Sequence, residues 1–239
     1  MKESEIEDNI ARIKERIARA EARSGRKPGS VSLMAVSKFQ PFEAIERAIA
    51  AGVELFGENR VQEAMGKIPA GFRESWPGCR VDLIGNLQTN KVGKSLGFFD
   101  SIQSVGSIAL LQAILSRSSA ARHGMGLYLE LRTGEESKSG FSSAGELFAA
   151  IEKFLSEHEA ASRFRLCGIM TMAPFTDSII LQRKAFSRAR KALEEARKRY
   201  PLLGMDELSM GMSSDFETAI EEGSTMVRIG TAIFGSRLR

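Results

Sequence analysis

The chain has 239 residues, 43% of them hydrophobic and 27% charged, which suits a globular domain with one sizeable core and excludes disordered and fibrous classes. A net charge of +4 is too small to imply nucleic acid by itself, and two cysteines, Cys79 and Cys167, give neither a disulfide framework nor a metal knuckle. Two histidines, His123 and His158, put histidine-rich metal sites and histidine-dependent hydrolases at a disadvantage, and no apolar run is long enough to span a bilayer, so the expected setting is the reducing cytoplasm.

In chain order, Ile6, Ile10, Ile13, Ile17 and Ala20 recur at helical spacing, and Gly25 and Pro28 end that first helix. A strand over 31–37 follows, then a helix over 42–51, a strand over 53–57, a helix over 59–67 and a loop over 69–78. Strands over 81–85 and 101–105 alternate with helices, one running to Lys94 and one over 107–122. The second half repeats the scheme, with strands over 126–132, 166–171, 207–211 and 226–230. Helices are predicted over 144–157, from 178 to about 200, over 215–222 and as a turn at 231–234. The Gly- and Ser-rich stretch 133–143 has the composition of a mobile loop.

Eight short apolar strands, each followed by a helix or turn, predict an α/β fold: a single (β/α)8 barrel over 1–239 with one extra helix in front. The rival is an open doubly wound sheet, but the dinucleotide fingerprint is absent after the first strand. In such a barrel the active face lies at the carboxyl ends of the strands.

Val31-Ser-Leu-Met-Ala-Val-Ser-Lys38 therefore brings a lysine to the active face. Alternation puts Met34, Val36 and Lys38 on one side. Lys38 either caps the strand and points to water, or is desolvated and forms a Schiff base with an aldehyde. Phosphate sites in these barrels often lie after the last two strands. Here those loops, Ser209-Met-Gly-Met-Ser-Ser214 and Gly230-Thr-Ala-Ile-Phe-Gly235, combine small residues with hydroxyls, which also suits plain turns and caps at Ser213, Ser214 or Thr231. Arg228 faces the barrel while Val227 and Ile229 face the helices. It needs an acceptor: a carboxylate such as Glu58 or Asp82, or a ligand's ring nitrogen or phosphate.

Six motifs resemble those of the pyridoxal phosphate homeostasis proteins, the family of the proline synthetase co-transcribed protein. They are Ala35-Val-Ser-Lys38, Phe56-Gly-Glu-Asn-Arg60, Ile84-Gly-Asn-Leu-Gln-Thr-Asn-Lys91, Gly168-Ile-Met-Thr-Met172, Leu208-Ser-Met-Gly-Met-Ser213 and Ser224-Thr-Met-Val-Arg-Ile-Gly-Thr-Ala-Ile-Phe-Gly235. They cover the chain in the family's order. The resemblance implies the barrel of the amino-terminal domain of alanine racemase, without that enzyme's second domain. It also implies pyridoxal 5′-phosphate as cofactor, held as an aldimine on Lys38. Ser209 and the backbone of Gly230 and Thr231 match the phosphate cradle. Arg228 matches the arginine at the pyridine nitrogen, and Asn59 an asparagine lining the pocket. One departure is visible: where the family has a histidine two positions before Ile-Gly, this chain has Asp82.

An arginine at the ring nitrogen disfavours its protonation, because two cations would face each other, and so leaves a weak electron sink. A racemase also needs a second acid or base, and neither Tyr128 nor Tyr200 is convincing. The function expected is cofactor holding in vitamin B6 and amino-acid or keto-acid homeostasis, with no catalytic residue assigned and no metal; the alternative is an amino-acid racemase. Candidate partners are pyridoxal-phosphate-dependent apoenzymes, with no nucleic acid and no membrane, and the chain is expected as a monomer or weak dimer. The basic helix from Arg183 to Arg199 could touch nucleic acid or an acidic partner, but also reads as a solvated outer face with Ala185, Ala189, Ala192 and Ala196 inward. Met170, Met172, Met210 and Met212 are expected to fill the barrel.

Overall fold

The computed structural model describes residues 5–134 and 139–235. Eight parallel strands close into a barrel in sequence order: β1 (Ser32–Val36), β2 (Leu55–Glu58), β3 (Arg80–Leu83), β4 (Ser101–Val105), β5 (Met125–Glu130), β6 (Phe164–Met170), β7 (Glu207–Ser209) and β8 (Met226–Ile229). The seam pairs β8 with β1, with Met34 opposite Arg228 and Ala35 opposite Ile229. This is the closed barrel expected, and the open sheet is excluded.

Alternation along each strand splits the core into two layers. Outward residues such as Ala35, Phe56, Leu83, Leu127, Leu208 and Val227 pack under the helices in the larger cluster. Inward residues Met34, Leu55, Tyr128, Cys167, Met170 and Met226 fill the barrel. Met172 packs against that inner cluster, but Met210 belongs to the outer layer, so the four methionines do not all fill the barrel. Both cysteines are free and buried.

The helices are α1 (Glu5–Arg23), α2 (Phe42–Ala50), α3 (Val61–Lys67), α4 (Phe72–Ser75), α5 (Val92–Phe98), α6 (Ile108–Leu115), α7 (Ala144–Ser156), α8 (His158–Ala161), α9 (Ile179–Arg199), α10 (Phe216–Glu221) and α11 (Thr231–Phe234). Two of them were not expected. α4 forms inside the predicted loop because Phe72 is buried, its ring 6.2 Å from Phe42 and 5.3 Å from Trp76. α8 is a single turn carrying the chain from α7 into β6. The helix expected to end at Lys94 instead runs to Phe98. Part of the predicted loop over 133–143 lies outside the described residues.

α9 keeps its basic side outward. Ala185, Ala189, Ala192 and Ala196 are buried, while Arg183 reaches Glu221 and Glu222, Arg190 reaches Glu194 and Glu222, and Arg197 reaches Asp206. That is the solvated outer face of a barrel helix. Among the described residues no helix is long and apolar enough to cross a membrane, and no cluster of metal-ligating side chains occurs.

Candidate functional site

The carboxyl ends of β1 and β8 meet at one point of the barrel mouth. Lys38 lies in the turn two residues past β1 and is half-buried. The turn closes through the Gln40 amide, which donates to the Ser37 carbonyl at 3.0 Å. Phe39 holds a left-handed φ of 64°, which costs a residue with a Cβ about 1–2 kcal/mol. Such strain persists only where surrounding contacts over-determine it.

Here those contacts are polar. The Glu63 carboxylate accepts from the Phe39 amide. The Lys67 ammonium, on the last turn of α3, donates to the Ser37 carbonyl at 2.8 Å and to Glu58 Oε1 at 2.6 Å. Ser37 Oγ donates to the same Glu58 oxygen at 2.5 Å. Burial pushes the Glu58 carboxyl up from its ordinary range, and Lys67 pulls it part of the way back. Glu58 and Lys67 thus tie β2 and α3 to Ser37 on one side of Lys38, and Glu63 ties α3 to Phe39 on the other.

Arg228 points into the barrel and is 4% exposed. Neither Glu58 nor Asp82 is its partner. Nη1 donates to Ser209 Oγ and Nη2 to the Thr171 carbonyl, both at 2.8 Å. Burial pulls its pKa down to about 10, against the opposing pull of Asp215 and then Glu130. A guanidinium at that value is still protonated at neutral pH.

Ser209 is fully buried beneath this arginine, and its hydroxyl donates to Gln103 Oε1 at 2.7 Å. Ser213, four residues on, stands at the loop surface instead. Its Oγ accepts from the Ala232 amide at 3.4 Å, joining the loop after β7 to the one after β8. Gly211 makes that crossing with a φ of +96°, and a Cβ there would come within 2.7 Å of the Ala219 Cβ. Gly230 is half-buried and Thr231 exposed, and a Cβ on Gly230 would lie 3.4 Å from Val36 Cβ, two residues before Lys38. Asn59 caps β2, its backbone pressed against Gly85, where a Cβ would fall 2.1 Å from the Asn59 carbonyl oxygen.

The amine, the guanidinium and the two glycine loops thus converge on the seam, and Asn59 follows on the next strand. The arrangement offers a primary amine, a fixed cationic donor and an open pair of loops with backbone N–H groups and hydroxyls. Those are complementary to an aldehyde, a heteroaromatic nitrogen and a phosphate. A cavity of about 420 Å³ between α1 and the amino ends of β1 to β3, lined by Lys14, Glu21 and Arg80, lies at the opposite mouth.

Sequence reasoning missed Glu130 at this face. It is 3% exposed, and the Ser139 hydroxyl lies 3.0 Å from both of its oxygens. Burial pushes this carboxyl up. The signal was present, since alternation from Gly126 through Tyr128 points Glu130 inward.

The family model that matches is the alanine racemase N-terminal domain, over residues 6–238. A pyridoxal phosphate homeostasis protein of Pseudomonas aeruginosa is 38% identical over 98% of this chain and 96% of its own length. Its Escherichia coli K12 counterpart is 35% identical over 98% and 97%. The chain belongs to this family. Among solved structures, PipY of Synechococcus elongatus, whose structure has pyridoxal phosphate bound, superposes with a TM-score of 0.77 at 36% identity, covering 92% of this chain and all of that one. A histidine racemase of Leuconostoc mesenteroides shares the fold at 19% identity, with a TM-score of 0.70, and this chain covers 98% of itself but 58% of that enzyme. The barrel of this family is therefore the alanine racemase N-terminal type.

Proposed function

We propose that the protein binds pyridoxal 5′-phosphate at the seam mouth and acts in cofactor homeostasis. The observation that carries the reading is the convergence of Lys38, Arg228 and the two glycine loops in a chain that belongs to a family of that name. Bound there, the cofactor would supply an aldehyde that condenses with an amine and a pyridine ring that withdraws electrons. Lys38 would provide the amine, held by the turn that Glu58, Glu63 and Lys67 fix. Arg228 would donate a hydrogen bond to the ring nitrogen and, being a cation, keep a second proton off it. Asn59 would line the pocket.

The phosphate role shifts within its motif. The Ser209 proton is engaged inside the barrel, whereas Ser213 faces the loop after β8. We assign the phosphate to Ser213 with the backbone of Gly230 and Thr231, and leave Ser209 to hold Arg228.

The tyrosines support holding over turnover. Tyr128 donates to Glu207 Oε2 at 2.5 Å, toward the amino ends of the strands, and Tyr200 donates to Glu152 Oε1 at 3.1 Å outside the barrel, between α9 and α7. Neither faces the seam mouth, so neither is placed to exchange a substrate proton there. Two free cysteines suit the cytoplasm, and pyridoxal-phosphate-dependent apoenzymes are the natural recipients of a held cofactor.

The test is the visible spectrum of the purified protein with added pyridoxal phosphate, before and after borohydride, followed by peptide mapping. An absorption band that disappears on reduction, with the adduct on Lys38 and none in Lys38→Ala, is expected. An adduct on another lysine, undiminished in Lys38→Ala, overturns the site. Exchange of an amino acid's α-proton into heavy water at enzymatic rates would move the assignment to the racemase.

A further inference from the structure

A line of polar side chains crosses the barrel interior beneath the seam mouth. At its upper end Arg228 Nη1 donates to Ser209 Oγ at 2.8 Å. Ser209 donates to Gln103 Oε1 at 2.7 Å, and Gln103 Nε2 donates to Asp82 Oδ2 at 2.9 Å. Asp82 meets Arg80 Nη2 at 3.2 Å, at the amino end of β3. Ser209, Gln103 and Asp82 are all fully buried, and each sits on a different strand.

The direction of every bond in this line follows from its two ends. A guanidinium only donates, so Ser209 must present a lone pair to Arg228, and its single proton is left for the next partner. Burial pushes the Asp82 carboxyl up, and the Arg80 guanidinium 3.2 Å away pulls it back toward the anion. Paired in this way as a carboxylate it only accepts, so Gln103 turns its amide nitrogen toward Asp82 and its oxygen toward Ser209. The reversed amide would set its oxygen against the carboxylate and its NH2 against a hydroxyl that already takes a proton from Arg228. A cation at one end and an anion at the other thus leave one arrangement of the two neutral groups between them. Ordered chains of this kind polarise each link in the same sense.

We propose that Asp82 and Gln103 are positioning residues for Arg228: together they orient the Ser209 hydroxyl so that it accepts from the guanidinium, fixing the donor at the barrel mouth. The chain sits where the sequence departs from its family, at Asp82. It makes the departure a working part of the site, with the anion on β3 setting an amide on β4. What Arg228 faces rests on the proposed binding of pyridoxal phosphate; the chain itself does not.

The test is nitrogen-15 NMR of arginine-labelled protein, with the Arg228 signals assigned by their loss in Arg228→Lys. The readout is the rate at which Nη1 and Nη2 interchange by rotation about Nε–Cζ, in the cofactor-free protein and again after loading with pyridoxal phosphate. Asp82→Asn keeps shape and volume but gives Gln103 a partner that both donates and accepts, so the amide is no longer held one way. Gln103→Met keeps the volume and cuts the chain outright. Both variants are expected to speed the rotation about tenfold, roughly what one buried hydrogen bond to a charged group is worth. In the loaded protein they are expected to shift the visible band while borohydride still places the adduct on Lys38. Unchanged rotation in Asp82→Asn overturns the proposal, because an isosteric amide would then serve as well as the carboxylate. Unchanged rotation in Gln103→Met overturns it equally and does not depend on Asp82→Asn folding. A wild-type protein that forms no adduct at Lys38 would defeat the binding reading alone, and the cofactor-free rates would still decide the chain.

Discussion

Single residues at the mouth are set by burial against a few fixed partners, and Glu130 shows how that can be measured. Its carboxyl is pushed up by burial, with the Ser139 hydroxyl and the field of Arg228 pulling the other way. A carboxyl raised in the folded state keeps a proton that the unfolded chain has released. Its contribution is therefore full at acid pH and is lost as the pH rises through the folded value. Glu130→Gln removes that dependence. The melting temperature of the variant minus that of the wild type is expected to grow more positive from pH 5 to pH 8; a flat difference, or one of opposite slope, would show that the carboxylate is not penalised where it sits. Legibility at this scale followed the strand period. Arg228 was readable as inward because β8 alternates cleanly between Met226 and Ile229. The resemblance pointed to Ser209 for the phosphate and left Ser213 as a cap; alternation could not test that choice, because Gly211 turns through a positive φ between the two and breaks the period on which such readings rest.

At the scale of elements, β1, β2 and α3 hold Lys38 through Lys67, which pairs with Glu58 at 2.6 Å and with Glu63 at 3.6 Å. Glu58 is fully buried and Lys67 is 10% exposed, so removing the cation leaves a carboxylate without its charge partner. Lys67→Met is expected to cost about 3 kcal/mol at pH 8, the low end for breaking a buried pair, since Glu58 can escape by taking up a proton. That escape fixes the sign of the pH effect. The cost should shrink at pH 5, where the proton is cheaper, and urea unfolding at the two values measures it. Equal costs at both, or a cost below about 1 kcal/mol, would place the pair among ordinary surface bridges. Adding Glu58→Gln to Lys67→Met should restore part of the loss. None of this was visible in the chain alone: the sequence offered Glu58 as an inward acceptor for Arg228, whereas the fold sets it on the outer face of β2 with Phe56 and brings α3 back over it. The eight strands were legible for the opposite reason, since each is a short apolar run whose pattern needs no partner. α4 escaped because its helical turn depends on Phe72 packing with Phe42 and Trp76.

The whole molecule closes where the site lies. β1 and β8 are the first and last strands, and their pairing sets Met34 of the Lys38 strand beside Arg228. Lys38 stands on one side of that seam, and Gly230 and Thr231 stand on the other. A helix from the front of the chain spans it from outside. Asn9 of α1 donates to the Ile233 carbonyl at 2.8 Å, Arg16 reaches Glu217 of α10 at 3.3 Å, and Lys14 donates to the Ala51 and Gly52 carbonyls past the end of α2 at 2.9 Å each. Ile6, Ile10, Ile13 and Ile17 bury the inner face of the same helix. α1 thus fastens the first β/α unit to the last two, and its packing should be felt at the site although no residue of α1 belongs to it. Ile13→Ala is expected to destabilise the fold by about 2–5 kcal/mol, the range for emptying a buried isoleucine. The loss should not be spread evenly. Amide hydrogen exchange is expected to rise most in β1 and β8, less in β4 and β5 across the barrel, because local opening follows the contacts removed. Affinity for pyridoxal phosphate should fall in step with protection at β1 and β8. If exchange instead rises equally in all eight strands, the barrel opens as one cooperative unit and α1 is ordinary core; if the seam loosens while affinity holds, the two sides of the site are kept in place by the clamp at Glu58 and the loop contact at Ser213 rather than by closure.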